Sequence, residues 1–247
     1  MRTLGSGSTY RTARSLALMG TAAVSLALGS LSGIPSSSAQ VPKLAASATS
    51  IRSANGASPA SELKAIAAEA QKESKATFKL TYTTSGSGSA QAITLEQKPP
   101  DQLFKSGSSE VIYNGKTTYY CTTSGKTTQC QTFGSIGESP LAAIVGVYSA
   151  STYITIMQTW QTIVSMAIPG FKISFTNATF AGLASKCVSW SYQGSNAKYC
   201  VADIGVLAYV GGAGKGSSTS TFALTGYSSH VSGSDFSLPK GAKLTAG

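Results

Sequence analysis

The chain has 247 residues, 42% of them hydrophobic, and a formal net charge of +10 from 19 Lys and Arg against 9 Asp and Glu. The lysines are scattered singly, without the clustered arginine and aromatic pattern of a nucleic-acid face, so nucleic acid is not an expected partner. Attraction to anionic head groups or anionic wall polymers is the alternative to ordinary solubility as the use of this basic excess.

Arg2, Arg11 and Arg14 form a basic start, and Ser15 to Ile34 is apolar and uncharged, the pattern of an export signal. Pro35 breaks any helix, and Ser37 and Ala39 place small residues where a signal peptidase reads, so cleavage is expected after Ala39, with Ala46 or Ala48 as later alternatives. An anchor kept in the membrane is the competing reading, and the Gly and Ser content of the stretch argues against it. No Cys precedes Cys121, so the signal cannot end in a lipid-modified cysteine. The expected organisation is a signal peptide over 1–39, a flexible leader over 40–57 and a single domain over 58–247, secreted or held in the cell envelope. Loss of the three arginines lowers the formal charge to +7 and leaves Arg52 as the only arginine.

Ser58-Pro59 reads as an N-cap and first helical residue, with Leu63, Ile66, Ala67 and Ala70 on one face of a helix running to about Ser74. Strand alternation follows: Phe78, Leu80 and Tyr82 point one way, and Thr77, Lys79, Thr81 and Thr83 the other. A Gly/Ser turn at Ser85 to Ser89 leads to a strand with Ile93 and Leu95 on one face. Further strands are expected at Gln102 to Ser106, Glu110 to Tyr113 and Lys116 to Cys121, an antiparallel meander punctuated by Asn114-Gly115.

The four cysteines of an exported chain imply two disulfides. Cys121 to Cys130 reads as a hairpin whose turn, Gly125-Lys126, has the Gly-X order of a type II′ turn, so residues summing to 251 face each other and Cys121 opposes Cys130. Cys187 and Cys200 repeat the device around Gln193-Gly194, between Trp190, Tyr192 and Tyr199, Val201. Opposed residues of a non-hydrogen-bonded pair sit about 4.5 Å apart, within reach of a disulfide, and the expected bridges are Cys121–Cys130 and Cys187–Cys200. A metal site is the competing reading, which the two widely separated pairs disfavour.

Between Glu138 and Lys172 lie 33 residues without a charge. Ser149, Ser151, Thr152, Thr155, Gln158, Thr159 and Gln161 interrupt the run too often for a membrane span. Ser139-Pro140 marks a helix start, and Tyr153, Met157, Trp160, Val164 and Ala167 recur at helical spacing before Pro169-Gly170, so two short helices joined near Ser149 to Thr152 are expected. They either cover one face of the sheet or flank a cavity. Strands resume at Phe171 to Phe175, Ala178 to Ala181, Lys186 to Tyr192, Ala197 to Ala202, Val206 to Val210 and Ser220 to Tyr227.

A catalytic constellation is not found. His230 lies in a Ser/Gly-rich segment with Asp235 nearby, but no G-x-S-x-G elbow supplies a nucleophile. The acids form no convincing pair for glycoside chemistry. Gly211 to Gly216 lacks the phosphate-loop spacing and reads as a long hairpin loop. No enzyme activity, metal or cofactor is expected. A wide sheet crossed by an uncharged helical segment instead suggests a pocket lined by apolar side chains.

The succession Lys98-Pro99-Pro100-Asp101, Ile112-Tyr113-Asn114-Gly115 leading to Tyr119-Tyr120-Cys121, Thr179-Phe180-Ala181-Gly182 before Cys187, and Asp235-Phe236-Ser237-Leu238-Pro239 resembles exported actinobacterial proteins of the LolA/LolB-like lipoprotein-carrier superfamily, over about Ala76 to Ala242. The resemblance implies an α+β fold, a curved antiparallel half-barrel with helices packed in its concave face, and an apolar cavity that holds acyl chains. By that analogy Tyr153, Met157, Trp160 and Val164, located by helical spacing, would line the ligand site. The chain lacks the lipid-attachment cysteine of membrane-anchored relatives. The expected partner is a lipid or other apolar small molecule, with a membrane surface as a further candidate. The alternative is a secreted module with a filled core that binds a protein or the cell wall.

Overall fold

The computed structural model describes residues 51–52, 56–86, 90–133, 150–166 and 168–246. The expected signal peptide, most of the leader and the helix expected from Ser139-Pro140 lie outside the described residues. The described part is α+β, a curled sheet of 13 strands, antiparallel except at its two edges, with two α-helices against its concave face.

The chain enters the sheet through β1 (Ile51–Arg52), two residues of the segment read as a flexible leader, which run parallel to Ile173 and Ser174. Helix α1 (Pro59–Ala70) begins as expected: the Ser58 hydroxyl accepts from the Ser61 N–H at 3.2 Å, and Pro59 occupies a position whose N–H has no helical partner anyway. Leu63, Ile66 and Ala70 are its buried face. The helix stops at Ala70, earlier than read, and the chain turns through a 3₁₀ segment, Glu73–Lys75. Gly205 explains how close this end lies to the sheet. A Cβ there would come within 2.5 Å of the Glu73 nitrogen and 2.7 Å of the Glu69 oxygen, and its φ of +92° also favours glycine.

The first meander is β2 (Phe78–Ser85), β3 (Gln91–Lys98), β4 (Asp101–Ser106), β5 (Ser109–Tyr113), β6 (Thr118–Ser124) and β7 (Thr127–Phe133). Phe78, Leu80 and Tyr82 are buried while Lys79 between them is exposed, the alternation the sequence shows. The Asn114 side-chain oxygen accepts from the Lys116 and Thr117 N–H groups at 3.2 and 2.9 Å and holds the turn before β6. Cys121 opposes Cys130 and is bonded to it, and the reversal falls at Gly125-Lys126 with a φ of +59° at Gly125, as the hairpin reading requires.

Helix α2 (Ala150–Ser165) begins where the break between two helices was expected and ends before Pro169-Gly170. The second meander follows: β8 (Lys172–Phe180), β9 (Leu183–Tyr192), β10 (Ser195–Ala202), β11 (Leu207–Ala213) and β12 (Ser220–Ser228). Phe171 to Phe175 and Ala178 to Ala181 are not separate strands, because Thr176 and Asn177 stay paired with Cys187 and Lys186 and the chain reverses only at Ala181-Gly182. Cys187 opposes and bonds Cys200 around Gln193-Gly194, as predicted.

A last strand, β13 (Lys243–Ala246), was not anticipated and runs parallel to β7. The two meanders join where β12 pairs with β2, so the order is β1-β8-β9-β10-β11-β12-β2-β3-β4-β5-β6-β7-β13. Strands β7 and β8 thus lie near opposite edges although consecutive in the chain. The outer face carries its own apolar cluster: Leu103, Ile112, Cys121 and Cys130 are buried together with Phe236. Phe236 ends a 3₁₀ turn, Gly233–Phe236, shaped by a reciprocal cap between Ser232 and Asp235.

Candidate functional site

Pairing within β9 and β10 decides what faces the helices. Successive strand residues point to opposite faces, so Val188, Trp190 and Tyr199 lie on the face opposite the Cys187–Cys200 bridge. That face is the one α2 covers. The Trp160 ring meets Tyr199 and Trp190 edge-on, with centroids 5.2 and 6.1 Å apart, a geometry in which ring edges point at π faces. Phe171, just past α2, stacks on Trp190 at 6.2 Å and reaches Tyr192 at 6.4 Å. Further across the sheet Tyr82 stacks on Phe222 at 4.3 Å, and its buried hydroxyl donates to the Leu207 carbonyl at 2.7 Å.

Of the four residues named from helical spacing, Met157 and Trp160 are buried, at 1% and 6% exposure, and Val164 is half-buried. Tyr153 belongs to the helix, and its side chain lies outside the described residues. The sequence reading did not assign Trp190, Tyr199, Phe171 and Tyr192 to the site. A signal for three of them was present: the cysteines of a hairpin bridge face one way, so the aromatic residues at odd offsets from Cys187 and Cys200 along their strands face the other. Burial pushes the Tyr199 phenol up to about 12.

Polar groups near the helices are used in structure. Gln97 donates to the Glu73 carbonyl at 2.6 Å and the Ala76 carbonyl at 3.0 Å, and accepts from Gln102 at 3.0 Å, which ties the end of α1 to β3 and β4. On the outer side of α2, Thr159 and Thr162 donate to the carbonyls of Thr155 and Gln158, four residues back, at 3.0 and 3.3 Å. The helix thus carries no charge on any side, and these two hydroxyls are satisfied by its own backbone. Elsewhere, the His230 N–H donates to the Ser228 hydroxyl, and the Asp235 carboxylate accepts from the Ser232 N–H. Among the described residues no group of three His, Cys, Asp or Glu could hold a metal ion, and no helix is long and apolar enough to cross a membrane.

The architecture is that of an α+β domain whose helices pack against the concave face of a curled antiparallel sheet. No family model matches the chain, and no curated protein matches it. Among solved structures, MucB has 14% identity and a TM-score of 0.46, over 75% of this chain and 64% of that one. The MucA/MucB complex of Pseudomonas aeruginosa has 11% identity and a TM-score of 0.42, over 69% of this chain and 57% of the other. A DUF1329 family protein from Desulfovibrio piger has 8% identity and a TM-score of 0.27, over 73% of this chain and 98% of its own. The chain therefore spans less than two thirds of the first two structures.

Proposed function

We propose that this is an exported, non-catalytic domain that holds a lipid or another apolar ligand between its helices and its sheet. One observation carries the reading: a helix without a single charge lies over an aromatic sheet face, and the buried residues it presents, Met157 and Trp160, are an adaptable thioether and a broad indole. Such a surface gains from meeting acyl chains, since each buried CH₂ contributes about 0.8 kcal/mol without any polar fixing group. The two disulfides fit an oxidising compartment outside the cytoplasm.

The test is uptake of a fluorescent fatty-acid or phospholipid analogue by the delipidated, folded protein. Saturable uptake is expected, retained by Met157→Leu and lost in Trp160→Asp, which sets a carboxylate among apolar groups. If no lipid class shows saturable uptake, the domain is an interaction module with a filled core, and lipid extraction followed by mass spectrometry of the native protein should return nothing.

A further inference from the structure

The topology gathers one kind of loop at one end of the sheet. In an antiparallel meander every second turn falls on the same side, and the pairing of β12 with β2 keeps the two meanders in phase. The β2–β3, β4–β5, β6–β7, β9–β10 and β11–β12 turns therefore share one rim with the Pro169-Gly170 corner that enters β8. Among the described residues the turns of this rim contain no Asp or Glu. They carry exposed Lys126 and Lys215, with exposed Lys172 beside the corner. Glu110, the second residue of β5 after the β4–β5 turn, lies 3.9 Å from Lys105. The opposite rim is mixed, with Asp101, Lys116 and Asp203 in or beside its turns.

An apolar point stands at the basic rim. Met166, at the end of α2, is 64% exposed, and it leads within five residues to Phe171, which packs on Trp190 and Tyr192 at the edge of the aromatic cluster. Lys215 lies against the tip of the β9–β10 hairpin, with its Cγ 3.5 Å from where a Gly194 Cβ would be. Cationic turns and an exposed apolar side chain on the same rim complement an anionic head-group layer, since lysine attracts the surface charge while an apolar side chain gains by entering the acyl boundary. We propose that this rim is a docking surface for a bilayer that contains anionic lipid, which places the end of the aromatic cluster at the membrane. The inference stands without the cargo reading, because docking needs no bound ligand.

The test is co-sedimentation of the mature protein with vesicles of phosphatidylcholine alone and of phosphatidylcholine with phosphatidylglycerol. Binding is expected only to the anionic vesicles, and it should weaken as salt rises. Each of Lys126→Ser and Lys215→Ser should reduce partitioning about five-fold, and the double variant about twenty-five-fold. Met166→Ser should also weaken binding, whereas Lys116→Ser, the same charge change on the opposite rim, should leave it unchanged. Circular dichroism checks that each variant is folded. Absence of sedimentation with anionic vesicles, or an equal loss in Lys116→Ser, would overturn the proposal. So would an affinity for a soluble polyanion as high as for the vesicles, which would assign the rim to anionic polymers.

Discussion

Tyr199 offers a direct measure of how firmly α2 is seated. Its phenol is 4% exposed beneath Trp160, and burial raises it from the ordinary value near 10 to about 12. A neutral phenol suits the folded protein and an ionised one suits the unfolded chain, so the stability tied to this group is fully present below pH 10. It is lost as pH rises from 10 toward 12. Two pH units correspond to about 2.7 kcal/mol, of which roughly half should be gone by pH 11. Urea unfolding of wild-type protein and Tyr199→Phe between pH 9 and pH 11.5 separates this loss from that of the lysines, which both proteins share. The wild type should lose the extra stability and the variant should not. In parallel, the absorbance gained at 295 nm on titration toward pH 12 should be greater by one tyrosinate in the wild type than in Tyr199→Phe, with the difference appearing above pH 10. Equal pH dependence in the two proteins would refute the packing of α2 on this face, because a helix that swings clear would leave Tyr199 wet and titrating normally.

Trp160→Ala should cost about 3 to 5 kcal/mol in urea unfolding, as expected for removal of a buried large side chain, whereas Trp160→Phe should cost less than about 2. Replacing Cys121 and Cys130 together by Ser should cost about 2 to 3 kcal/mol, and peptide mapping without reductant should recover Cys121 joined to Cys130. Lys79 donates to Glu96 at 2.7 Å, and that hydrogen bond raises the lysine's pKa, while the second Glu96 oxygen is buried without a hydrogen bond. Lys79→Met should therefore cost about 1 to 2 kcal/mol, below the range for a fully buried pair because Lys79 is about half exposed, and Glu96→Gln in that background should restore most of it. N-terminal sequencing of the exported chain should begin at Gln40, and a start at Met1 in the membrane fraction would remove the cleavage reading.

Much of the domain was legible because its signals are local. The Ser58-Pro59 cap, the alternation from Phe78 to Tyr82 and the Gly125-Lys126 and Gln193-Gly194 turns each act within one or two elements, and the two hairpins bring their cysteines into register whatever the rest of the chain does. The sequence suggests two short strands where β8 is one, because the pairing of Thr176 and Asn177 with Cys187 and Lys186 on the neighbouring strand is what keeps the backbone extended there. Strand β13 was missed for a related reason: parallel pairing with β7 depends on where the last segment lands after Phe236 docks on the outer cluster, and no local pattern announces it. The helical spacing of Met157 and Trp160 identified the buried face of α2, but not what it meets. That was decided by the tertiary structure, in which α2 lies over the β9–β10 hairpin and Trp160 meets Trp190 and Tyr199. Contacts of this kind join residues far apart in the chain, so their energy appears only once the whole sheet has formed.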